Sequence, residues 1–451
     1  MADSFRVPSR SLGLKLLLVC ALAALMSIPA IFVGIVLWDR MSQSDKATNE
    51  ISQTVGGQQT LLGPVLAVAY TVPSPDPKEL PYNGYYIVYP ETGAATAKLD
   101  VKPKSRSIYV VPVFDSDVNF SAQFPAISKI PQALPSNARV DWDRSRLIMG
   151  VSDLRGVKSE AALTLANGQT RALEPAAETQ AGGYGLNIVG APAADLVAAG
   201  QPFSVTANLR LTGAKRFAFL PFAKSTKTSI SSNWADPSFE GGFLPGDDRT
   251  ISDKGFNATW EVPYLARNVA AAQASPSLSF DALFSRDMAV KLVKEDTAYR
   301  FIARSLKYSP LFIGLVFIAY FLFEVSSGKR VHPAQFILIG LAQAVFYLLL
   351  LAFSEHIGFD AAFGVAAVAA VGQIGLYAGA VFGSKAYAMR ALAVFAGVYV
   401  LLYVLMRLED YALVVGAIAS FVAIALTMWM TRNVDWYGGA QASEGSALKG
   451  A

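Results

Sequence analysis

The sequence predicts an integral membrane protein with six transmembrane α-helices, one N-terminal and five C-terminal, and a large mostly β, sandwich-like extracytoplasmic domain between them. Three observations predict it. The last third, Tyr308 to Thr431, holds five apolar runs, each at or near the roughly 20 residues that cross a hydrocarbon core of about 30 Å. A sixth apolar run, Leu16 to Trp38, lies near the start. Between them the pattern changes to short β-rich runs punctuated by Pro and Gly. Composition agrees, since 53% of residues are hydrophobic and only 16% charged, the average of membrane spans and a polar domain.

In chain order, residues 1–13 form a cytoplasmic N-terminus, because Arg6, Arg10 and Lys15 flank the first apolar run on the side that stays inside. Residues 14–38 read as a signal-anchor helix. The alternative is a cleaved signal peptide with Ala21-Leu22-Ala23 as its small-x-small site, but apolar sequence continues fifteen residues beyond it, longer than an h-region needs. A lipoprotein reading of Cys20 fails on Val19, where a small residue is required. Asp39 to Thr54 is polar without Pro or Gly and continues the helix, which Val55-Gly56-Gly57 ends.

Residues 39–307 form the periplasmic β-rich domain. Strand runs are Val65 to Val72, Tyr85 to Tyr89, Ile108 to Val113, Leu147 to Val151, Ala161 to Leu165, Phe203 to Leu211 and Arg216 to Phe222, which suggests a sandwich of antiparallel strands. Asn167-Gly168 is the best hairpin turn in the chain. Trp234, Phe239, Phe243, Phe256 and Trp260 form either a binding face or core positions beneath long loops. Met288, Val290 and Leu292 suggest a closing strand, and Asp296 or Thr297 caps a helix with Tyr299, Ile302 and Leu306 on one face. Its Arg300, Arg304 and Lys307 stand where they can meet anionic lipid headgroups. A single Cys excludes an intramolecular disulfide, so an exported domain of this size must stand on its hydrophobic core.

Residues 308–431 are the five-helix bundle and 432–451 a cytoplasmic tail, disordered from Gly438 onward. Orientation follows from the short loops. Lys329, Arg330, Lys385 and Arg390 lie on the predicted inner side, and the turns at 354–360 and 407–410 face outward. The segment before Tyr308 is then outside and both termini are inside. Net charge is +4, and Asp39 to Lys307 holds 28 basic and 26 acidic residues, which gives no electrostatic case for nucleic acid. The cluster Lys98, Lys102, Lys104 and Arg106 reads as a solvated face.

The search for chemistry is mostly negative. There is no phosphate-binding loop, no His-Glu-x-x-His, no Gly-x-Ser-x-Gly and no Cys pair. His332 and His356 are 24 residues apart on either side of one span, about 36 Å at helical rise, so they cannot share a site. No cofactor, metal or catalytic residue is therefore assigned. Two features remain. Glu324 is the one acid inside an apolar run, and intramembrane carboxylates are either functional or paired at the interface. Glu355, His356, Arg407, Glu409 and Asp410 form a candidate outer-interface polar cluster. It is either a set of solvated helix ends, with Arg407 pairing Glu409 or Asp410, or a partly buried network in which His356 responds to mild acid.

Several stretches in order resemble the CreD family of bacterial inner-membrane proteins. They are Leu62-Gly63-Pro64, Val151-Ser152-Asp153-Leu154-Arg155-Gly156, Ser232-Asn233-Trp234, Pro237-Ser238-Phe239, Phe243-Leu244-Pro245, Lys307-Tyr308, His332-Pro333, Phe346-Tyr347-Leu348-Leu349-Leu350, Ser354-Glu355-His356, Thr431-Arg432-Asn433 and Asp435-Trp436-Tyr437. The resemblance implies a role in cell envelope integrity, with links to envelope stress and to tolerance of toxins and β-lactams, and it brings no catalytic residues. The expected partners are the lipid bilayer and an envelope protein or lipid held by the periplasmic domain. A transporter, or a membrane enzyme acting on lipid or cell-wall material at the outer leaflet, is the alternative. Few polar residues lie along the spans beyond Gln335, Gln343 and Gln373, which disfavours a polar ion path.

Overall fold

The computed structural model describes residues 12–434 and 436, except 75, 77, 79, 107–108, 128–133, 176–184, 293–296 and 409–410. Asp296, Glu409, Asp410 and the tail from Gly438 lie outside the described residues. The chain forms two units, Ser44–Lys294 and the combination of Met1–Gln43 with Glu295–Ala451, each with a hydrophobic core of its own.

α1 (Leu12–Leu25) and α2 (Ser27–Thr54), which belong to the helical unit as far as Gln43, run on through Met26, whose amide donates to the Leu22 carbonyl at 2.8 Å. The helix stops at Gly56 and Gly57, whose φ values of +94° and +61° suit glycine. After the β domain, which includes the short helices α3 (Ala194–Ala198), α4 (Tyr264–Arg267) and α5 (Asp281–Phe284), comes α6 (Thr297–Lys307). Its Tyr299 and Ile302 are buried while Arg300 and Lys307 are exposed, and it belongs to the helical unit. The remaining spans are α7 (Ser309–Ser327), α8 (Pro333–Ile357), α9 (Phe359–Phe382), α10 (Lys385–Arg407) and α11 (Ala412–Thr431). Together with the first helix they make six candidate membrane spans among the described residues. His332-Pro333 has a local reason. His332 Nδ1 accepts from the Ala334 amide at 3.2 Å, Gln335 Oε1 accepts from the His332 amide at 3.0 Å, and Pro333 occupies the first helical turn, where its missing N–H costs nothing.

The β unit is two sheets. Sheet A runs β13 (Ser238–Gly241), β17 (Met288–Lys291), β11 (Arg216–Phe219), β1 (Gln59–Val72), β5 (Arg139–Val151), β9 (Asn187–Pro192) and β8 (Glu174–Pro175). Off this path, β2 (Tyr82–Val88) pairs with β1 and β16 (Ala272–Ser275) with β2. Sheet B runs β14 (Thr250–Ser252), β15 (Gly255–Val262), β12 (Ser225–Ser232), β3 (Thr92–Arg106), β4 (Tyr109–Phe124), β10 (Phe203–Ala214), β6 (Ala162–Leu165) and β7 (Thr170–Ala172). The inner faces share one core. Phe114 and Phe120 of sheet B meet Phe217 and Phe219 of sheet A edge to face, with centroids 5.7 and 5.5 Å apart.

The pairing is not antiparallel throughout. β1 pairs with β11 and β3 with β12 in parallel. Alternation fixes which face of sheet B is inside: Ala95, Ala97, Leu99 and Val101 are buried, while Lys98, Asp100, Lys102 and Lys104 are exposed. Asn167-Gly168 turns the β6–β7 hairpin as expected, with Gly168 at φ +81°. The aromatic stretch is core. Phe256 and Trp260 are buried with Phe239 against both, and Trp260 Nε1 donates to the Phe243 carbonyl at 3.1 Å.

The family-like stretches of this unit serve its geometry. Leu62 pairs with Gly150 and Val65 with Ile148, so Gly63-Pro64 is a bulge, where a proline that cannot donate is tolerated. The buried Gln59 amide donates to the carbonyls of Gly56, Asp153 and Thr212 at 2.7, 3.0 and 3.2 Å and ties the helix exit to the Ser152–Gly156 turn. There Asp153 caps a single turn of 3-10 helix and holds the Arg155 guanidinium, which lowers its carboxyl below the usual value. Asn233 extends the ladder beyond β12, its Oδ1 accepting from the Val101 amide at 2.8 Å and its Nδ2 donating to the Val101 carbonyl at 3.2 Å.

Candidate functional site

Glu324 sits near the C-terminal end of α7 and is buried. Its carboxylate pairs with Lys15 of α1, and the same oxygen accepts from the Val331 amide at 3.0 Å; Lys15 also donates to the Val331 carbonyl at 2.8 Å. The neighbouring cations do something else, since Lys329 donates to the Phe382 carbonyl at 2.7 Å and so caps α9. Glu324 is thus an interhelical tie between the first span and the bundle. At the same end the Gly13 amide donates to the Trp436 carbonyl at 3.4 Å. Near this tie, Glu324 Oε2 and the hydroxyl of Tyr320, one turn earlier, are buried without a hydrogen-bond partner among the described residues.

The opposite end of the bundle carries Glu355, His356 and Arg407 of the predicted polar cluster. Glu355 accepts from the Tyr299 hydroxyl at 2.9 Å and lies 3.9 Å from Arg40 Nε, which brings α6 and α2 onto α8. Arg407 pairs with Asp360 of α9, whose carboxylate also accepts from Tyr403 at 2.9 Å. Arg407 thus pairs across helices, because Asp360 opens α9 beside the end of α10, while its expected partners Glu409 and Asp410 lie outside the described residues. His356 is exposed and joins neither set among the described residues. Arg304, which sequence reasoning left to lipid, donates to the Met406 carbonyl at 2.9 Å and closes the end of α10.

The β unit holds a groove of about 950 Å³ on the outer face of sheet B, which sequence reasoning missed. Lys98, Asp117 and Arg210 face one another in register across β3, β4 and β10. Arg210 takes Asp117 at 2.8 Å, Lys158 takes Asp115 at 2.6 Å and Lys102 takes Asp100 at 2.7 Å. Asp100 and Asp115 are directly opposite, a like-charge pair that those two lysines relieve. Every acid in the groove is thus neutralised, while Lys98 and Lys254 on its wall close no ion pair among the described residues. The groove presents hydroxyls, amides and two cations without an ion pair among the described residues. No convergence of three or more His, Cys, Asp or Glu that would hold a metal occurs among the described residues.

Six apolar helices with a two-sheet domain inserted after the first define a polytopic membrane protein. The family model described as Inner membrane protein CreD matches residues 11–437, and the chain belongs to the CreD family. The Inner membrane protein CreD of Escherichia coli (strain K12) is 31% identical over 422 residues, covering 92% of this chain and 91% of that protein. Among solved structures, an M1 zinc metallopeptidase from Deinococcus radiodurans, a mutant bound to a Tyr-Ser-Ala substrate, covers 76% of this chain and 94% of its own at 10% identity. Its TM-score of 0.21 carries no argument about fold or activity.

Proposed function

We propose that this protein is a non-enzymatic inner-membrane protein that supports cell envelope integrity by holding a negatively charged envelope component in the groove of sheet B. The observation that carries the reading is the charge arrangement there, in which three acids are paired and Lys98 and Lys254 are left for a ligand. Both termini are cytoplasmic and residues 39–307 are periplasmic. This topology rests on the basic short loops, and it is supported by the gathering of Lys15, Lys329 and the contact between Gly13 and Trp436 at one end of the bundle.

The test is complementation of a strain lacking its own copy. The double variant Lys98→Glu/Lys254→Glu should leave the protein at normal level in the membrane yet leave cells as sensitive to β-lactams and envelope-directed toxins as the empty strain. Lys227→Glu, whose lysine already pairs with Glu261 at 2.5 Å, should complement fully. Full tolerance with the double variant would overturn the assignment.

A further inference from the structure

The wall of the helical unit holds an apolar crevice of about 520 Å³ between the first span and the junction of α6 with α7. Its floor is made by small residues, Ala30 and Gly34, its sides by Ile31 and Ile35, and its far wall by Leu306 and Pro310. It extends along the first span from Ser27 to Trp38, eleven residues or about 16 Å at helical rise, which is one leaflet of a hydrocarbon core about 30 Å thick. At one mouth stands Trp38, 77% exposed, the residue type that settles at the level of lipid headgroups. Lys307 does not line the crevice but follows its wall residue Leu306 directly in sequence; its side chain is exposed and takes no ion pair among the described residues. A cation thus stands one residue from the wall, while the interior is almost wholly apolar.

We propose that this crevice is a binding site for one anionic glycerophospholipid, an acyl chain lying along Gly34 and the phosphate meeting Lys307 beside Trp38. Leaflet depth, a floor of small residues and a cation one residue from the wall together fit that occupant. A purely apolar partner would leave Lys307 unmatched. The site lies within the helical unit and is independent of the groove on sheet B.

A Cβ added at Gly34 meets no atom within 4 Å, so the larger side chain of Gly34→Leu starts in open space and extends into the crevice. The experiment uses the full chain in nanodiscs of phosphatidylcholine containing a minor share of phosphatidylglycerol, with lipid retained on the protein counted by native mass spectrometry. Photoreactive acyl analogues of both lipids map the contact. The wild type should retain phosphatidylglycerol over phosphatidylcholine by about fivefold, the value of one lysine near the headgroups, with crosslinks on Ser27 to Trp38. Gly34→Leu should lose both the retained lipid and those crosslinks. Lys307→Gln should keep the crosslinks and lose the preference. Equal retention and crosslinking in Gly34→Leu would reduce the crevice to ordinary annular contact, and an unchanged preference in Lys307→Gln would overturn headgroup recognition.

Discussion

Phe222 is wholly buried, and two glycines make room for its ring. A Cβ at Gly63 would stand 2.6 to 2.7 Å from ring atoms Cγ, Cδ1 and Cδ2, and one at Gly93 would stand 2.6 and 2.7 Å from Cε2 and Cζ. Carbon atoms settle at about 3.5 to 4.0 Å, so Gly63→Ala forces the ring or the bulge to retreat by about 1 Å. Phe120 packs edge to face on the same ring with centroids 5.6 Å apart, which limits where it can go. Overpacking of this kind costs about 1 to 3 kcal/mol, against about 0.4 to 1 kcal/mol recovered from the stiffer unfolded chain. We predict a net loss of about 1 to 2 kcal/mol for Gly63→Ala. Phe222→Leu alone leaves a cavity and also destabilises, but the double variant should lie at least about 1 kcal/mol above the sum of the singles. Pulse proteolysis of the full chain across a urea series in mild detergent measures each arm. Strict additivity, or a stabilised Gly63→Ala, would refute the packing argument.

Three further outcomes follow from the geometry. Glu324→Ala leaves Lys15 without its counter-ion and should cost about 3 to 5 kcal/mol, read as a lowered melting temperature in detergent; Lys15→Met/Glu324→Leu should restore most of it, and failure to do so would show that the pair does more than tie helices. Asp153 has its carboxyl pKa lowered first by the Arg155 hydrogen bond, so its contribution is complete above the ordinary carboxylate value near about 4 and is lost as pH falls through the lowered one. Wild type and Asp153→Asn should therefore differ in stability at neutral pH and converge in strong acid; a constant gap would contradict the linkage. A reporter active only after export should work when fused after Ser136 and fail at the C-terminus, and the opposite pattern would invert the topology.

The spans were legible because hydropathy is read one residue at a time and needs no partner, and His332-Pro333 and Gly56-Gly57 mark local turns for the same reason. The β character of the middle was legible too, but its register was not. The long strand β3 hides its inner face behind Ala95 and Ala97, which give little hydrophobic contrast to Lys98 and Asp100, and the parallel pairs join strands more than 130 residues apart. The candidate sites depended on such distant pairings. Glu324 finds its cation 309 residues away, Arg407 its acid 47 residues away, and the groove assembles Lys98, Asp117, Lys158, Arg210 and Lys254 from separate strands and loops. One local signal was available: Asp115 and Asp117 alternate on one face of a strand rich in Val and Phe, which marks a charged outer face.

The groove is tested most directly by a photoreactive amino acid placed at the lining residue Ser159 of the full chain in its native membrane, with a second chain carrying it at the exposed Leu265. A discrete adduct with an anionic envelope component is expected from position 159, none of it from position 265, and its loss when Lys98→Glu/Lys254→Glu is added. The same adducts from both positions, or an adduct at 159 that survives Lys98→Glu/Lys254→Glu, would contradict it.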